Sequence, residues 1–132
     1  MAIRTRVKRG NNTSLDALRR EIKKHADPTR ARVSQRFFKT GKGQYAEGDI
    51  FLGLTVPQCR TLARTYAALS LPSVRQLLRS PLHEERLIAL LLLVTQFQKG
   101  TPALRGRIYR TYIAMTRYIN NWDLVDLSAD KI

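Results

Sequence analysis

Few residues in this 132-residue chain have the type and spacing for chemistry, and the most suggestive stand one helical turn apart near its end. The stretch Asn120-Asn121-Trp122-Asp123-Leu124-Val125-Asp126 holds the only Trp of the chain. In a helix opening near Asn121, Trp122 and Asp126 share a face, while Leu124 and Leu127 sit elsewhere and hold the helix to its neighbours. A carboxylate there can oppose positive charge as it develops, and an indole face attracts a cation. A plainer reading stands beside this one: Trp122 is core, Asp123 serves the positive end of the helix, and Asp126 pairs with a nearby arginine.

The second set of candidates is cationic. Lys and Arg number 24 against 10 acids, a formal charge of +14, and the pI is near 10.9. That excess exceeds what solubility needs and points to a polyanionic partner, although charge balance alone does not separate DNA from RNA or an acidic membrane surface. Arg60 with Arg64, and Arg75 with Arg79, repeat at one-turn spacing, and Arg110 and Arg117 lie two turns apart on the predicted sixth helix. Few acids stand at helical spacing from them, so the set is predicted to contact phosphates. Eleven basic residues against three acids precede Phe37. Residues 1–12 lack a core pattern and read as a basic mobile arm that adds salt-sensitive affinity.

Other reactive types offer less. Cys59 is the only cysteine, which leaves no internal disulfide or multi-cysteine metal site, and it reads as a small buried residue. His25 and His83 lack partners at close spacing and read as surface or capping residues. Thr40 to Asp49, with three glycines and both charge signs, reads as a plain connecting loop without the spacing of a phosphate cradle. The longest apolar run, Leu87–Val94, is too short to span a bilayer and reads as a buried helix. No secretory signal opens the chain, so the cytoplasm is the expected compartment.

These residues need helices to position them. A small polar residue followed by Pro supplies an N-cap and a pre-set first helical residue, as at Asp27-Pro28, Ser80-Pro81 and Thr101-Pro102. Val56-Pro57 and Leu71-Pro72 mark starts with weaker caps, and Thr13 with Asp16 suggests a capping box. Leu15, Leu18 and Ile22 form one stripe, Leu62 and Tyr66 another, Val74, Leu77 and Leu78 a short buried edge, and Leu104, Ile108, Tyr112 and Met115 a fourth. Nothing alternates long enough for a strand. The expectation is an all-α chain of about seven helices, residues 13–132 forming one domain. From Pro57 onward the helices read as pairs, the rhythm of a helical solenoid, with an ordinary bundle as the alternative.

Four strings in order carry a family resemblance: Phe38-Lys39-Thr40-Gly41-Lys42-Gly43, Phe51-Leu52-Gly53-Leu54-Thr55-Val56-Pro57, Ser80-Pro81-Leu82-His83-Glu84-Glu85-Arg86, and Asn120-Asn121-Trp122-Asp123-Leu124-Val125-Asp126. From about Phe37 to Ile132 the chain resembles the DNA alkylation repair glycosylases built of HEAT-like helical repeats. The resemblance implies an α-α superhelix that grips duplex DNA and removes bases made cationic by N3 or N7 alkylation. It implies Asp126 as catalytic carboxylate, Trp122 as an aromatic wall beside the lesion, and Phe37 as an aromatic that faces DNA. Neither metal nor cofactor is implied. The family's site also uses a basic residue and a second Trp from later helices, so by resemblance the chain ends inside the domain. A monomer on duplex DNA in the cytoplasm, associated with the nucleoid and not with membrane, is the expected setting. Two other readings stay open: a non-catalytic binder of damaged or distorted duplex, and a protein-interaction scaffold.

Overall fold

The computed structural model describes residues 13–38, 42, 48–119, 124–125, 128–129 and 131–132. They form helices α1 (Leu15–Lys24), α2 (Pro28–Phe37), α3 (Val56–Thr65), α4 (Leu71–Leu78), α5 (His83–Lys99) and α6 (Pro102–Ala114), then a single 3-10 turn at Thr116–Tyr118. Among the described residues there is no strand, and a lone parallel bridge joins Ile50 to Leu82. The fold is all-α. The expected basic arm, most of the loop from Thr40 to Asp49, and the opening of the expected seventh helix lie outside the described residues.

Every helix start except that of α5 follows from a side-chain oxygen that accepts an otherwise unpaired amide of the first turn. Asp27 accepts from Thr29 and Arg30, and Thr101 accepts from Leu104, as their positions before proline predict. Elsewhere the caps correct the sequence reading. Ser14, not Thr13, caps α1 by accepting from Ala17 N–H at 3.2 Å. The starts at Val56-Pro57 and Leu71-Pro72 are capped strongly, one residue upstream of each pair: Thr55 forms a reciprocal capping box with Gln58, and Ser70 accepts from Ser73. Ser80 caps no helix. Its hydroxyl holds Leu82 N–H at 3.0 Å, and α5 opens two residues later than Pro81 suggests, because Leu82 is still in the bridge to Ile50.

Helix α5 is the pillar of the core. Every residue from His83 to Val94 is buried, and α3, α4 and α6 all pack on it. A helix apolar on all sides is stable only when enclosed, which is what the run Leu87–Val94 requires. The predicted stripes supply the enclosing faces: Leu18 and Ile22 from α1, Leu62 of α3 with Tyr66 at its end, Val74, Leu77 and Leu78 from α4, and Ile108 from α6, and Cys59 is buried among them as expected. Gln96 ties the turn between α3 and α4 to this pillar by donating to the carbonyls of Ala67 and Leu69 at 3.3 and 2.9 Å.

The first turn of α5 is polar and equally buried, and it holds the strip from Asp49 to Thr55 against the core. That strip has no ladder of its own, so its amides take side-chain and loop acceptors. Ile50 N–H donates to the Pro81 carbonyl, and Phe51 N–H to Gln35 Oε1. Leu52, Gly53 and Leu54 donate to the Glu84 carboxylate at 2.9, 2.8 and 3.2 Å, and Thr55 to Gln58. On the carbonyl side, Gln35 Nε2 donates to Asp49, His83 N–H to Ile50, Asp27 N–H to Leu52 and Arg30 Nε to Gly53. Gly53 sits at φ +93°, where a Cβ would collide with the Asp27 carbonyl. Glycine is required there because α2 crosses so closely.

Asp49, His83 and Arg86 form a buried polar cluster at the head of the strip. His83 Nδ1 lies 3.1 Å from Asp49 Oδ2, Arg86 Nη2 donates to Asp49 Oδ1, and His83 stacks on Phe51 with ring centroids 4.4 Å apart. His83 is therefore not a surface or capping residue: only 3% of it is exposed. Its partner is 34 positions away, beyond any spacing argument. His25, in contrast, is exposed at the C-cap of α1. Burial opposes ionisation of Asp49 most strongly of any influence, but hydrogen bonds from His83 and Arg86 and the Arg86 charge outweigh it. The carboxyl therefore ionises below its ordinary value of 3.8.

Two outcomes follow from this network. Glu84→Ala leaves three amides, two of them buried, without an acceptor and is expected to lower the unfolding free energy by about 3–5 kcal/mol in urea titrations. Glu84→Gln, whose single amide oxygen can take two of the three, should lose less; equal losses would show that acceptor count is not what matters. For Asp49, a lowered folded-state pKa means a stabilisation present in full above its ordinary value and lost as pH falls through the lowered one. Asp49→Asn should be less stable than wild type at pH 7 and lose less stability between about pH 5 and pH 2. Parallel acid-denaturation curves for the two proteins would contradict that assignment.

Candidate nucleic-acid interface

Helix α6 serves two neighbours with two stripes. Ile108, Tyr112 and Met115 turn toward the core, with Tyr112 partly buried, whereas Arg107, Arg110, Thr111 and Ala114 are one position out of phase and face α4. Helix α4 answers with Leu71, Pro72 and Arg75, and the two helices enclose an open cleft of about 350 Å³. A second depression of about 200 Å³, lined by Pro72, Arg75, Gln76 and Arg79, adjoins it and shares Pro72 and Arg75. The result is a basic track running Arg79, Arg75, Arg107, Arg110 across two helices.

This track regroups the arginines that sequence spacing paired. Arg75 and Arg79 remain together, but the partner of Arg110 in the cleft is Arg107, which the sequence reading passed over. A partial signal for it existed: Arg107 and Arg110 are three apart and so neighbours on the helix surface, whereas Arg110 and Arg117 are separated by two turns. Arg117 is not on α6. That helix ends at Ala114, and Arg117 lies in the following 3-10 turn with its guanidinium over the Tyr118 ring, 4.9 Å from the centroid. Arg60 and Arg64 are exposed on α3, and Arg64 donates to Thr61 Oγ1; neither lines the cleft. Phe37 is 63% exposed at the end of α2, edge-on to Phe38, which in turn stacks on Phe51.

Ion pairs sharpen the picture. Among the described residues five acids are engaged elsewhere: Glu85 with Arg19, Glu21 with Lys24, Asp27 with Arg30, Asp49 with Arg86, and Glu84 with the amides of the strip. None of Arg60, Arg64, Arg75, Arg79, Arg107, Arg110 or Arg117 has an acidic partner within the described residues. Exposed, unneutralised guanidiniums lining concave surface form an electrostatic footprint for phosphate. No described group of His, Cys, Asp and Glu side chains could hold a metal ion, and no described helix is long and apolar enough to cross a membrane.

Trp122 and Asp126 lie outside the described residues. Leu124 and Ser128 are fully buried, Ser128 donates to the Leu124 carbonyl at 2.7 Å, and its hydroxyl shares a 2.9 Å hydrogen bond with Tyr112 of α6. The spacing of these two buried residues, with Leu124 and Val125 helical, agrees with the expectation that Leu124 holds this segment to the preceding helices.

No curated protein and no solved structure gives a significant match to the chain. A family model described as DNA alkylation repair enzyme matches residues 18–132, which takes in all six helices except the first turn of α1, the strip over Glu84, the basic track and the segment bearing Trp122 and Asp126. The chain belongs to the DNA alkylation repair enzyme family.

Proposed function

We propose that the chain carries a DNA glycosylase site that hydrolyses the N-glycosidic bond of N3- or N7-alkylated, cationic bases in duplex DNA. The observation that carries this reading is the family match over residues that include the string Trp122-Asp123-Leu124-Val125-Asp126, on a chain in which Arg75, Arg79, Arg107 and Arg110 have no acidic partner among the described residues. The helices form a HEAT-like superhelix, which presents the arginines to the phosphate backbone.

The chemistry asks little of the protein because the leaving group is already activated. As the C1′–N bond breaks, its electron pair neutralises the positive charge of the alkylated base, and positive charge passes to the sugar. Asp126 stabilises that oxocarbenium-like sugar, and water adds at C1′ with loss of a proton. Trp122 lies against the lesion and attracts its cation through the ring face. Partial charge is thus opposed at both stages by fixed groups, with no redox step.

Base release from methylated duplex DNA tests this with protein expressed from its complete reading frame. Asp126→Asn should lower the single-turnover rate by about 100-fold, the scale on which removing one electrostatic stabiliser acts. Duplex affinity should change by less than about twofold, since phosphate contacts dominate it. Unchanged base release by this variant sinks the catalytic role; retained DNA binding without any release by wild type favours the non-catalytic binder.

A further inference from the structure

We propose that Tyr112 and Ser128 are positioning residues for Asp126: a directed chain of hydroxyl hydrogen bonds from α6 fixes the segment from Leu124 to Ser128, at whose midpoint in sequence Asp126 stands. The inference rests on the glycosylase reading above and deepens it, naming the groups that hold the reacting carboxylate in register.

The direction of the chain follows from counting protons. A serine hydroxyl has one proton to give, and Ser128 gives it to the Leu124 carbonyl at 2.7 Å. In the 2.9 Å contact between Tyr112 Oη and Ser128 Oγ, the tyrosine is therefore the donor. The order is Tyr112 O–H, Ser128 O–H, Leu124 carbonyl, each hydroxyl polarising the next. Both ends are anchored: Tyr112 packs against the core from α6, and Leu124 is wholly buried in it. Leu124, Val125 and Ser128 are helical, and Ala129 N–H donates to the Val125 carbonyl at 2.9 Å. The bonds thus span the position of Asp126 from both sides.

Stability alone does not ask for these hydroxyls. Ser128 is fully buried, serine is a poorer helix former than alanine, and a serine that bonds its own i−4 carbonyl weakens a helix slightly. Alanine and phenylalanine fill the same two positions with no hydroxyl to satisfy. What the hydroxyls add is direction. Apolar burial, as at Leu124, resists separation but not a small rotation, because the hydrophobic effect is non-directional. A hydrogen bond weakens steeply as its angle departs from linear. Asp126 is two residues from Leu124 and two from Ser128, so rotation of this segment displaces that position too. Rate is sensitive to such movement, a misplacement of about 1 Å being worth about 100-fold.

Single-turnover base release from methylated duplex DNA, by protein expressed from its complete reading frame, reads the proposal. Tyr112→Phe removes one hydroxyl and keeps the ring; the maximal rate should fall about tenfold, and the protein concentration for half-maximal rate should move less than about twofold. Ser128→Ala should act alike, and it carries the test if Tyr112→Phe loses its melting transition. In an Asp126→Asn background, Tyr112→Phe should change the residual rate by less than about twofold, because a positioning residue acts only through the group it positions. Ile108→Val trims a buried side chain of the same helix and serves as the stability control, expected to lower the melting temperature but keep the rate within about twofold. Wild-type rate in both hydroxyl variants overturns the positioning role and leaves the glycosylase standing. So does a tenfold loss that persists without the Asp126 carboxylate, or an equal loss in Ile108→Val. Absence of base release by wild type, or an undiminished rate in Asp126→Asn alone, overturns the glycosylase reading and the positioning role with it.

Discussion

Six successive amides from Ile50 to Thr55 run between helices without a helix or ladder of their own, and the Glu84 carboxylate accepts three of them. An irregular strip in the interior is tolerable only if each polar group is paired, since an orphaned buried amide costs about 1–3 kcal/mol. A buried carboxylate is costly too, and is stable only when its lone pairs are filled. Here the two costs cancel. The three N–H groups solvate the carboxylate, the carboxylate satisfies the amides, and the positive end of α5 favours the negative charge at its first turn. Helices α2 and α3 are held through this arrangement, because Arg30 and Gln35 of α2 bond the same strip and Thr55 at its end caps α3.

The same economy of acids shapes the surface. The chain has only ten, and five of them, Glu21, Asp27, Asp49, Glu84 and Glu85, are spent on internal hydrogen bonds or ion pairs. Four successive buried residues show how: His83 and Arg86 both reach the Asp49 carboxylate, Glu84 the amides of the strip, and Glu85 the Arg19 guanidinium. With Asp49, Glu84 and Glu85 buried and Glu21 and Asp27 paired locally, the exposed arginines of α3, α4 and α6 have no acidic partner among the described residues. The positive field of the outer surface is thus partly a by-product of how the interior is tied together, and the net charge understates its local strength.

What the sequence made legible was whatever has a local period. Stripes such as Leu18 with Ile22 and Val74 with Leu77 and Leu78 fell in the core, and the run Leu87–Val94 became the enclosed helix. Helix starts were visible through proline, but cap identity was less so: Ser14, Thr55 and Ser70 each lie one position from the expected residue or mark, and Ser80 gave way to the bridge at Leu82. Non-local pairing was illegible. His83 looked partnerless because Asp49 is far away in sequence, and nothing local marks the helix start His83-Glu84-Glu85-Arg86 as a buried polar hub. Arg107 was missed for a related reason: which arginines share a cleft depends on how α6 is rotated about its axis against α4, and periodicity within one helix does not fix that.

Rotation of α6 matters for function as well. One stripe of the helix lines the basic track, and the next carries Ile108 into the core and Tyr112 to Ser128. A helix transmits position along and across its axis with little compliance, since its neighbours are close-packed. Under the proposed reading, α6 is the rigid member between the phosphate grip and the segment that carries Trp122 and Asp126 in sequence. Positioning a catalytic carboxylate against a sugar requires sub-ångström constancy, which loops seldom provide. On that reading, Arg107 and Arg110 stand on the same helix that anchors the segment bearing Trp122 and Asp126, so one element sets the register between the basic track and that segment.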